Sequence, residues 1–309
     1  MIPDKVKKIL EKQQYRIIGS HSAVKICHWT KESLTRNRVC FKEKWYPPVE
    51  SHRCMQMTPS LACNHKCLWC WRVQSGDRPN LSWKEYPFSF PVDEPKDIIE
   101  GCIEARKILL SGFGGNPSVD KKKFKEALKP TMMTMSLIGE PTLYPRLSEL
   151  IEEAKKRDMI TFLVTNGTNP EVLEKLDPLP WQLYITLPAP DEETYLKACR
   201  PLIKDGWKKI NESLELFPSL DCRKVLRLTL AKGLNMKDPE KYAKLIEKAE
   251  PNFCEVKAFM HVGEAQKRLP RNAMPLMEEV KSFAEKIADH CSYRIKDEDL
   301  DSRVVLLEK

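Results

Sequence analysis

The sequence predicts an α/β fold, a parallel sheet whose strands alternate with amphipathic helices. From about residue 130, short apolar β-prone runs recur at intervals of roughly 25 to 45 residues with helical stretches between them, which is the pattern of βα units. The 309 residues suffice for one large α/β barrel or two modest domains, with ample chain to bury a core. A first strand is expected over 55–61, and a helix over 98–110 returns the chain to the second. The later strands are expected over 131–137, 160–164, 181–187, 225–230 and 254–259, making six parallel strands in all. Leu147, Leu150, Ile151 and Ala154 stand at i, i+3, i+4 and i+7, and Tyr242, Leu245, Ile246 and Ala249 repeat the spacing. Each stretch is therefore a helix with one buried stripe.

Two segments fall outside this alternation. Residues 75–95 mix Pro79, Pro87, Pro91 and Pro95 with Trp83, Tyr86, Phe88 and Phe90, which suits neither helix nor central strand. A long insertion loop serving as a binding element is expected there. Residues 111–130 join the turn Gly112-Phe113-Gly114-Gly115 to the basic run Lys121-Lys122-Lys123-Phe124-Lys125, expected as a solvated helix surface.

Charged residues make up 31% and apolar ones 41%, and no run approaches eighteen uncharged apolar residues, so neither a membrane span nor broad disorder is expected. The N-terminus lacks the apolar region of a signal peptide, which points to a cytoplasmic protein. Eleven cysteines in such a chain argue for metal ligation rather than a disulfide framework. Of the net charge of +8, residues 1–55 carry +7, from 12 Lys/Arg against 5 Asp/Glu. Clustered cations of this kind displace counterions from phosphates, so a polyanionic partner is expected at that end. The chain accordingly divides into a basic extension, 1–55, and a barrel with C-terminal extension, 56–309.

The strongest chemical signal is Cys63-Asn64-His65-Lys66-Cys67-Leu68-Trp69-Cys70, a C-x3-C-x2-C run just after the first expected strand. Three thiolates on one short loop can converge on one metal centre. Zinc sites usually complete a tetrahedron with a fourth Cys or His, and no fourth partner is evident here. A 4Fe-4S cluster held by three thiolates instead leaves one iron open for chemistry. With an aromatic residue immediately before its last cysteine, the motif resembles that of the radical S-adenosylmethionine (SAM) superfamily. The resemblance implies a partial (β/α)6 TIM-like barrel with the cluster after its first strand, and an open iron that chelates SAM for one-electron cleavage to methionine and a 5'-deoxyadenosyl radical. It places Gly139 and Glu140 in the "GE" motif that receives the methionine amino group, and Thr165 and Asn166 at the nucleoside. Trp69 would also contact the cofactor. At the fourth strand Pro188 stands where an acidic ribose contact is expected, and Thr186 is the substitute.

A second set, Cys27, Cys40 and Cys54, is dispersed through the basic segment beside Lys25, His28, Lys42 and His52. Together with Gly19 to Lys25, His52-Arg53-Cys54-Met55-Gln56, Trp71-Arg72, Glu255 to Gly263, Gln266-Lys267-Arg268-Leu269 and Asp301-Ser302-Arg303-Val304, it makes nearly the whole chain resemble the archaeal 4-demethylwyosine synthases. That resemblance implies a second 4Fe-4S cluster on Cys27, Cys40 and Cys54. It also implies condensation of pyruvate carbons 2 and 3 with N1-methylguanosine-37 of tRNA-Phe. Pyruvate would be held by the second cluster's open iron or as an imine on a lysine, Lys42 first and then Lys25, and Trp45 and Tyr46 would stack the splayed base. With no flavodoxin-like domain ahead of the barrel, an external donor such as ferredoxin or flavodoxin is implied, and a monomer is expected. Arg227, Glu255, Lys257 and His261 are further candidates for lining the site. The rival readings are a radical enzyme acting on another substrate and a zinc-containing, non-catalytic RNA-binding module.

Overall fold

The computed structural model describes residues 2–309 and forms two compact units. The first comprises the chain up to Cys63 together with Leu81–Leu163. It opens with α1 (Asp4–Lys12) and the antiparallel hairpin of β1 (Arg16–Ile18) and β2 (Ser22–Lys25), followed by the short helices α2 (His28–Thr35) and α3 (Phe41–Trp45). The hairpin lies antiparallel on β3 (Cys54–Thr58), Val24 opposite Met57. After α4 (Pro95–Leu110) and α5 (Lys121–Ala127), β4 (Met132–Met135) joins β3 in parallel, and α6 (Leu147–Lys155) leads to β5 (Ile160–Thr165), parallel to β4. Met55, Met57, Met133, Met135, Phe162 and Leu163 are wholly buried, so this sheet is covered on both faces as parallel sheets are.

The second unit comprises Asn64–Asn80 and Val164–Lys309. After α7 (Pro170–Glu174) come β6 (Gln182–Thr186), α8 (Glu192–Cys199), α9 (Gly206–Leu216), β7 (Arg223–Leu230), α10 (Pro239–Ala249) and β8 (Phe253–Ala258). Strands β6, β7 and β8 are parallel. Beyond α11 (Met277–Ala288), β9 (Arg294–Asp299) and β10 (Val304–Glu308) close the unit, β10 antiparallel to β8 and β9 antiparallel to β10.

All six expected parallel strands form, with ends displaced by up to three residues. Two hairpin elements were not expected. Strand β1 is only three residues long, and β9 reads RIKDED, a polar run that is a strand because it pairs with the buried β10 and presents charge at the edge. The basic extension 1–55, defined by charge, folds within the first unit rather than apart from it. Up to Pro95, where α4 begins, segment 75–95 holds no helix or strand, as expected, yet Phe88 and Phe90 are committed to packing, their rings 5.0 and 6.2 Å from that of His21. The basic run forms α5, whose Phe124 packs on the small core of Ile26, Leu34, Leu110 and Ala127 while Lys121, Lys122 and Lys125 face solvent. No helix among the described residues is long and apolar enough to cross a membrane.

Candidate active site

In the first unit, β3 and β4 deliver their chain ends to one place. Beyond β3, the Ala62 carbonyl accepts the Glu140 N–H at 2.8 Å, and the Cys63 N–H donates to the Glu85 carbonyl at 3.1 Å, so segment 75–95 helps to fix the first thiol of the compact motif. Gly139 has φ +76°, and a Cβ there would lie 1.8 Å from the Ser60 carbonyl oxygen, which restricts the position to glycine. Glu140 is buried, and its carboxylate accepts hydrogen bonds from the Thr142 N–H at 3.1 Å and hydroxyl at 2.7 Å. Gly139 and Glu140 thereby hold the turn against the segment ending in Cys63.

In the second unit, residues 64–80 are fixed to three elements. Asn166 donates to the Asn64 side chain at 2.7 Å, Asn64 donates to the Thr168 hydroxyl at 2.7 Å, and that hydroxyl donates to Asn166 at 2.6 Å. Thr165 accepts the Gly167 N–H. The Thr165-Asn166-Gly167 turn is thus bound to the residue following Cys63, and Asn64 and Thr168 are contributors the sequence reading did not single out. The C-terminal end of α8 accepts Lys66 N–H at the Cys199 carbonyl and Leu68 N–H at the Ala198 carbonyl, at 2.8 and 2.9 Å. Arg72 donates to the His65 carbonyl at 2.7 Å, and Arg268 donates to the carbonyls of Cys70 and Arg72. At Gly263, φ +58°, a Cβ would lie 2.7 Å from the Trp71 carbonyl oxygen, so the turn after β8 closes on the residue next to Cys70.

A hydrogen bond donated by the Cys67 thiol to Cys199, and burial, push the Cys67 thiol well up, and burial pushes up Cys70 while the guanidinium groups of Arg72 and Arg268 oppose it. Burial, with Arg72 nearby, lowers His65 to about 3, so its ring is neutral at pH 7 and meets the Tyr195 hydroxyl at 2.8 Å. Buried thiols facing cations are a donor set that fits an iron-sulfur cluster, whose positive irons would draw them to thiolates. Trp69 is buried, and Thr186 ends β6 in register with Arg227.

Cys27, Cys40 and Cys54, separated in sequence, converge. Cys27 precedes α2, Cys40 precedes α3 and Cys54 opens β3. Burial and the Cys54 thiol raise Cys27 to about 11, and burial and the Cys27 thiol raise Cys40 to about 12. Lys42 opposes both shifts, which places its ammonium within electrostatic reach of the two thiols. It is 9% exposed, and its Nζ lies 4.4 Å from the centre of the Phe162 ring. Lys25 sits over Tyr15 at 4.6 Å, and burial and then Lys31 lower its pKa. Arg106, buried, donates to the carbonyls of His52 and Cys54 at 2.7 and 3.2 Å and to that of Ala127. This second set of three thiols also fits a cluster.

Other candidates have structural partners. Tyr46 is wholly buried, which corrects the expectation that it stacks a base, whereas Trp45 is half-buried. Arg227 pairs with the fully buried Glu255 at 2.7 Å, and Glu255 also accepts the Tyr184 hydroxyl. Lys257 donates to the Ser302 carbonyl, and His261 Nε2 donates to that of Leu269 at 2.9 Å.

Known proteins resemble this chain over its whole length. The family model for the radical SAM superfamily matches residues 57–246, and that for wyosine base formation matches residues 248–309. A Pyrococcus horikoshii protein named S-adenosyl-L-methionine-dependent tRNA 4-demethylwyosine synthase is 50% identical over 99% of this chain and 89% of its own length. A Methanocaldococcus jannaschii protein of the same name is 40% identical over 100% of this chain and 97% of its own. A solved structure described as TYW1 with a lysine-pyruvate adduct bound has a TM-score of 0.87 at 38% identity, covering 100% of this chain and 96% of that one. A crystal structure of archaeal TYW1 gives 0.79 at 36% with the same coverage. The expected α/β fold of the TIM-like radical SAM type is therefore the one found, and with it go SAM and a 4Fe-4S cluster. This chain belongs to the radical SAM family of tRNA 4-demethylwyosine synthases.

Proposed function

We propose that the chain condenses carbons 2 and 3 of pyruvate with N1-methylguanosine-37 of tRNA-Phe, with Lys42 as the residue that captures pyruvate. The observation that carries this reading is the buried Lys42 amine beside the Cys27 and Cys40 thiols. A related solved structure is described as containing a lysine-pyruvate adduct, which supports the imine over chelation of pyruvate to iron. An imine forms only from a neutral amine, and the Lys42 amine is screened from water, 9% exposed on α3 with its Nζ 4.4 Å from the centre of the Phe162 ring. Lys25 is the second candidate.

In this reading Cys63, Cys67 and Cys70 hold the family's cluster and Cys27, Cys40 and Cys54 a second one. When bound and reduced, the first supplies the 5'-deoxyadenosyl radical that takes hydrogen from the N-methyl group of the base. The protein's own part is to place the reactants. Gly139, Glu140, Thr165, Asn166, Trp69 and Thr186 are the proposed cofactor contacts. Lys42 fixes the carbonyl carbon that the base must reach. Half-buried Trp45 offers an aromatic face to a splayed anticodon-loop base, and the basic residues of 1–55 neutralise its backbone. An external one-electron donor, ferredoxin or flavodoxin, and a cytoplasmic monomer complete the reading. Eleven cysteines, none in a disulfide, favour a reducing compartment.

Trapping tests the central assignment. Borohydride added to protein with pyruvate should attach one reduced pyruvate to the peptide carrying Lys42, and Lys42→Arg should abolish the adduct while Lys25→Arg keeps it. An adduct that persists in Lys42→Arg would move the role to another lysine.

A further inference from the structure

We propose that the groove at the C-terminal end of α8 is the docking site of a small acidic one-electron carrier protein. The groove, about 580 Å³, lies wholly within the second unit. Leu196, Leu202 and Ile203 give it an apolar lining, and Lys66, Arg200 and Lys204 give it three cations. Leu196 and Leu202 are 46% and 44% exposed and stand side by side in this one groove. Among the described residues no carboxylate pairs with any of the three cations. Lys66 donates to the Ser75 carbonyl and Arg200 to Lys66 and Gln74, while Lys204 has no hydrogen bond or ion pair. A positive, partly apolar concavity without counter-charge complements an acidic protein surface that carries an apolar edge.

Its position selects an electron carrier among acidic partners. The groove's wall and the cysteine loop are one hydrogen-bonded piece. Lys66 immediately precedes Cys67, the Lys66 N–H donates to the Cys199 carbonyl, the Leu202 N–H donates to the Asn64 carbonyl at 2.8 Å, and Arg200 Nε donates to the Lys66 carbonyl at 2.9 Å. Leu196 and Cys199 are three residues apart on α8, about one helical turn, and the Cys199 thiol lies within 4.8 Å of the Cys67 sulfur. Electron transfer weakens steeply with distance, so a carrier seated here would stand on the outer side of the loop that bears two of the cluster's ligands. The carrier is oxidised by one electron, and that electron is consumed in breaking the C5'–S bond of SAM, giving methionine and the adenosyl radical. Electron-transfer encounters use small, salt-sensitive interfaces, which a groove of this size fits. The inference rests on the assignment of Cys63, Cys67 and Cys70 to the cluster.

The test uses the reconstituted, cluster-loaded full chain and a reduced acidic 4Fe-4S ferredoxin as the probe. Binding is measured by calorimetry, and SAM cleavage is followed with either ferredoxin or dithionite as reductant. At about 0.05 M salt, Leu202→Glu/Lys204→Glu should bind ferredoxin about tenfold more weakly and Lys204→Gln about threefold, the differences shrinking at about 0.5 M. Dithionite-driven cleavage and tRNA affinity should stay within about twofold of the parent, since dithionite needs no docking surface. Unchanged ferredoxin affinity in both variants overturns the proposal, as does a loss of tRNA affinity with ferredoxin binding intact, which would assign the groove to RNA. If the double variant also loses dithionite-driven cleavage through misfolding, Lys204→Gln decides alone. Failure of the parent protein to cleave SAM with dithionite would instead remove the cluster assignment itself.

Discussion

The two cysteine sets are laid out along the chain in opposite ways. Cys63, Cys67 and Cys70 sit within eight consecutive residues, whereas Cys27, Cys40 and Cys54 are spread over 28. The compact set needs its loop held rigidly: in the first unit the Gly139 turn abuts the segment ending in Cys63, and in the second the carbonyls ending α8 and the two arginines Arg72 and Arg268 hold residues 65–72. The dispersed set needs three separate chain segments to meet, and the starts of α2, α3 and β3 bring them together with Arg106 bonded beneath. A ligand set encoded by local spacing tolerates a varied surrounding fold. One encoded by convergence is only as stable as the packing that assembles it.

The largest effects should come from removing each set. Alanine at Cys63, Cys67 and Cys70 should abolish SAM cleavage altogether. Alanine at Cys27, Cys40 and Cys54 should leave cleavage, abolish the tricyclic nucleoside and remove about half the bound iron, since the donor sets are equal in number. Unchanged iron by elemental analysis would break the comparison, because the dispersed thiols would then bind no cluster.

Arg106 sharpens it next. Arg106→Met strands three buried carbonyls, those of His52, Cys54 and Ala127, and should cost about 3 kcal/mol in chemical denaturation, an unsatisfied buried acceptor being worth about 1 kcal/mol or more. Iron should be lost from the dispersed set while SAM cleavage persists. The counterpart for the compact set is Gly139→Ala, which forces a Cβ onto the Ser60 carbonyl at positive φ and should cost about 2 kcal/mol. That variant should lower SAM affinity and leave pyruvate trapping on Lys42 unchanged.

The smallest effect concerns the far end of α8. Asp191 caps that helix by accepting the Thr194 N–H at 2.9 Å and meets Lys241 at 2.9 Å, and hydrogen bonds from Thr194 and then Lys241 hold its carboxyl well below the usual carboxylate range. Because the folded state favours the ionised form, its contribution is present above the ordinary aspartate pKa and is lost as pH falls through the depressed folded value. Asp191→Ala should therefore cost about 1 kcal/mol at pH 7, and urea melts of parent and variant should converge as pH falls below about 3. A gap that persists in acid would show that the cap acts without its charge.

Much of the molecule was legible in the residues. Strands β4 and β5 were readable because their runs, MMTM and ITFLVT, are largely apolar and buried, and the others because short β-prone runs recur between helical stretches. The compact cysteine motif was readable because its ligands share one loop. Strand β9 was not, since its charges describe an edge that exists only once β10 is in place. Tyr46 and Trp45 are adjacent aromatics of similar appearance in sequence, yet packing buries the first and leaves the second half-open. Asn64 and Thr168 gave no signal at all, because a hydrogen-bonded network across more than a hundred residues has no local pattern.

The sequence by itself determined the βα alternation, the compact three-cysteine loop, the basic N-terminal segment and the family they resemble, since each depends on spacing or composition within a short window. Tertiary structure alone decided that Cys27, Cys40 and Cys54 meet, that Lys42 is buried beside two of them, and that Leu196, Leu202 and three cations with no carboxylate partner among the described residues share one groove beside Cys67. Burial and charge proximity arise from the packing of segments distant in the chain, and it is these that set the protonation of a thiol, the reactivity of an amine and the open face a partner can reach.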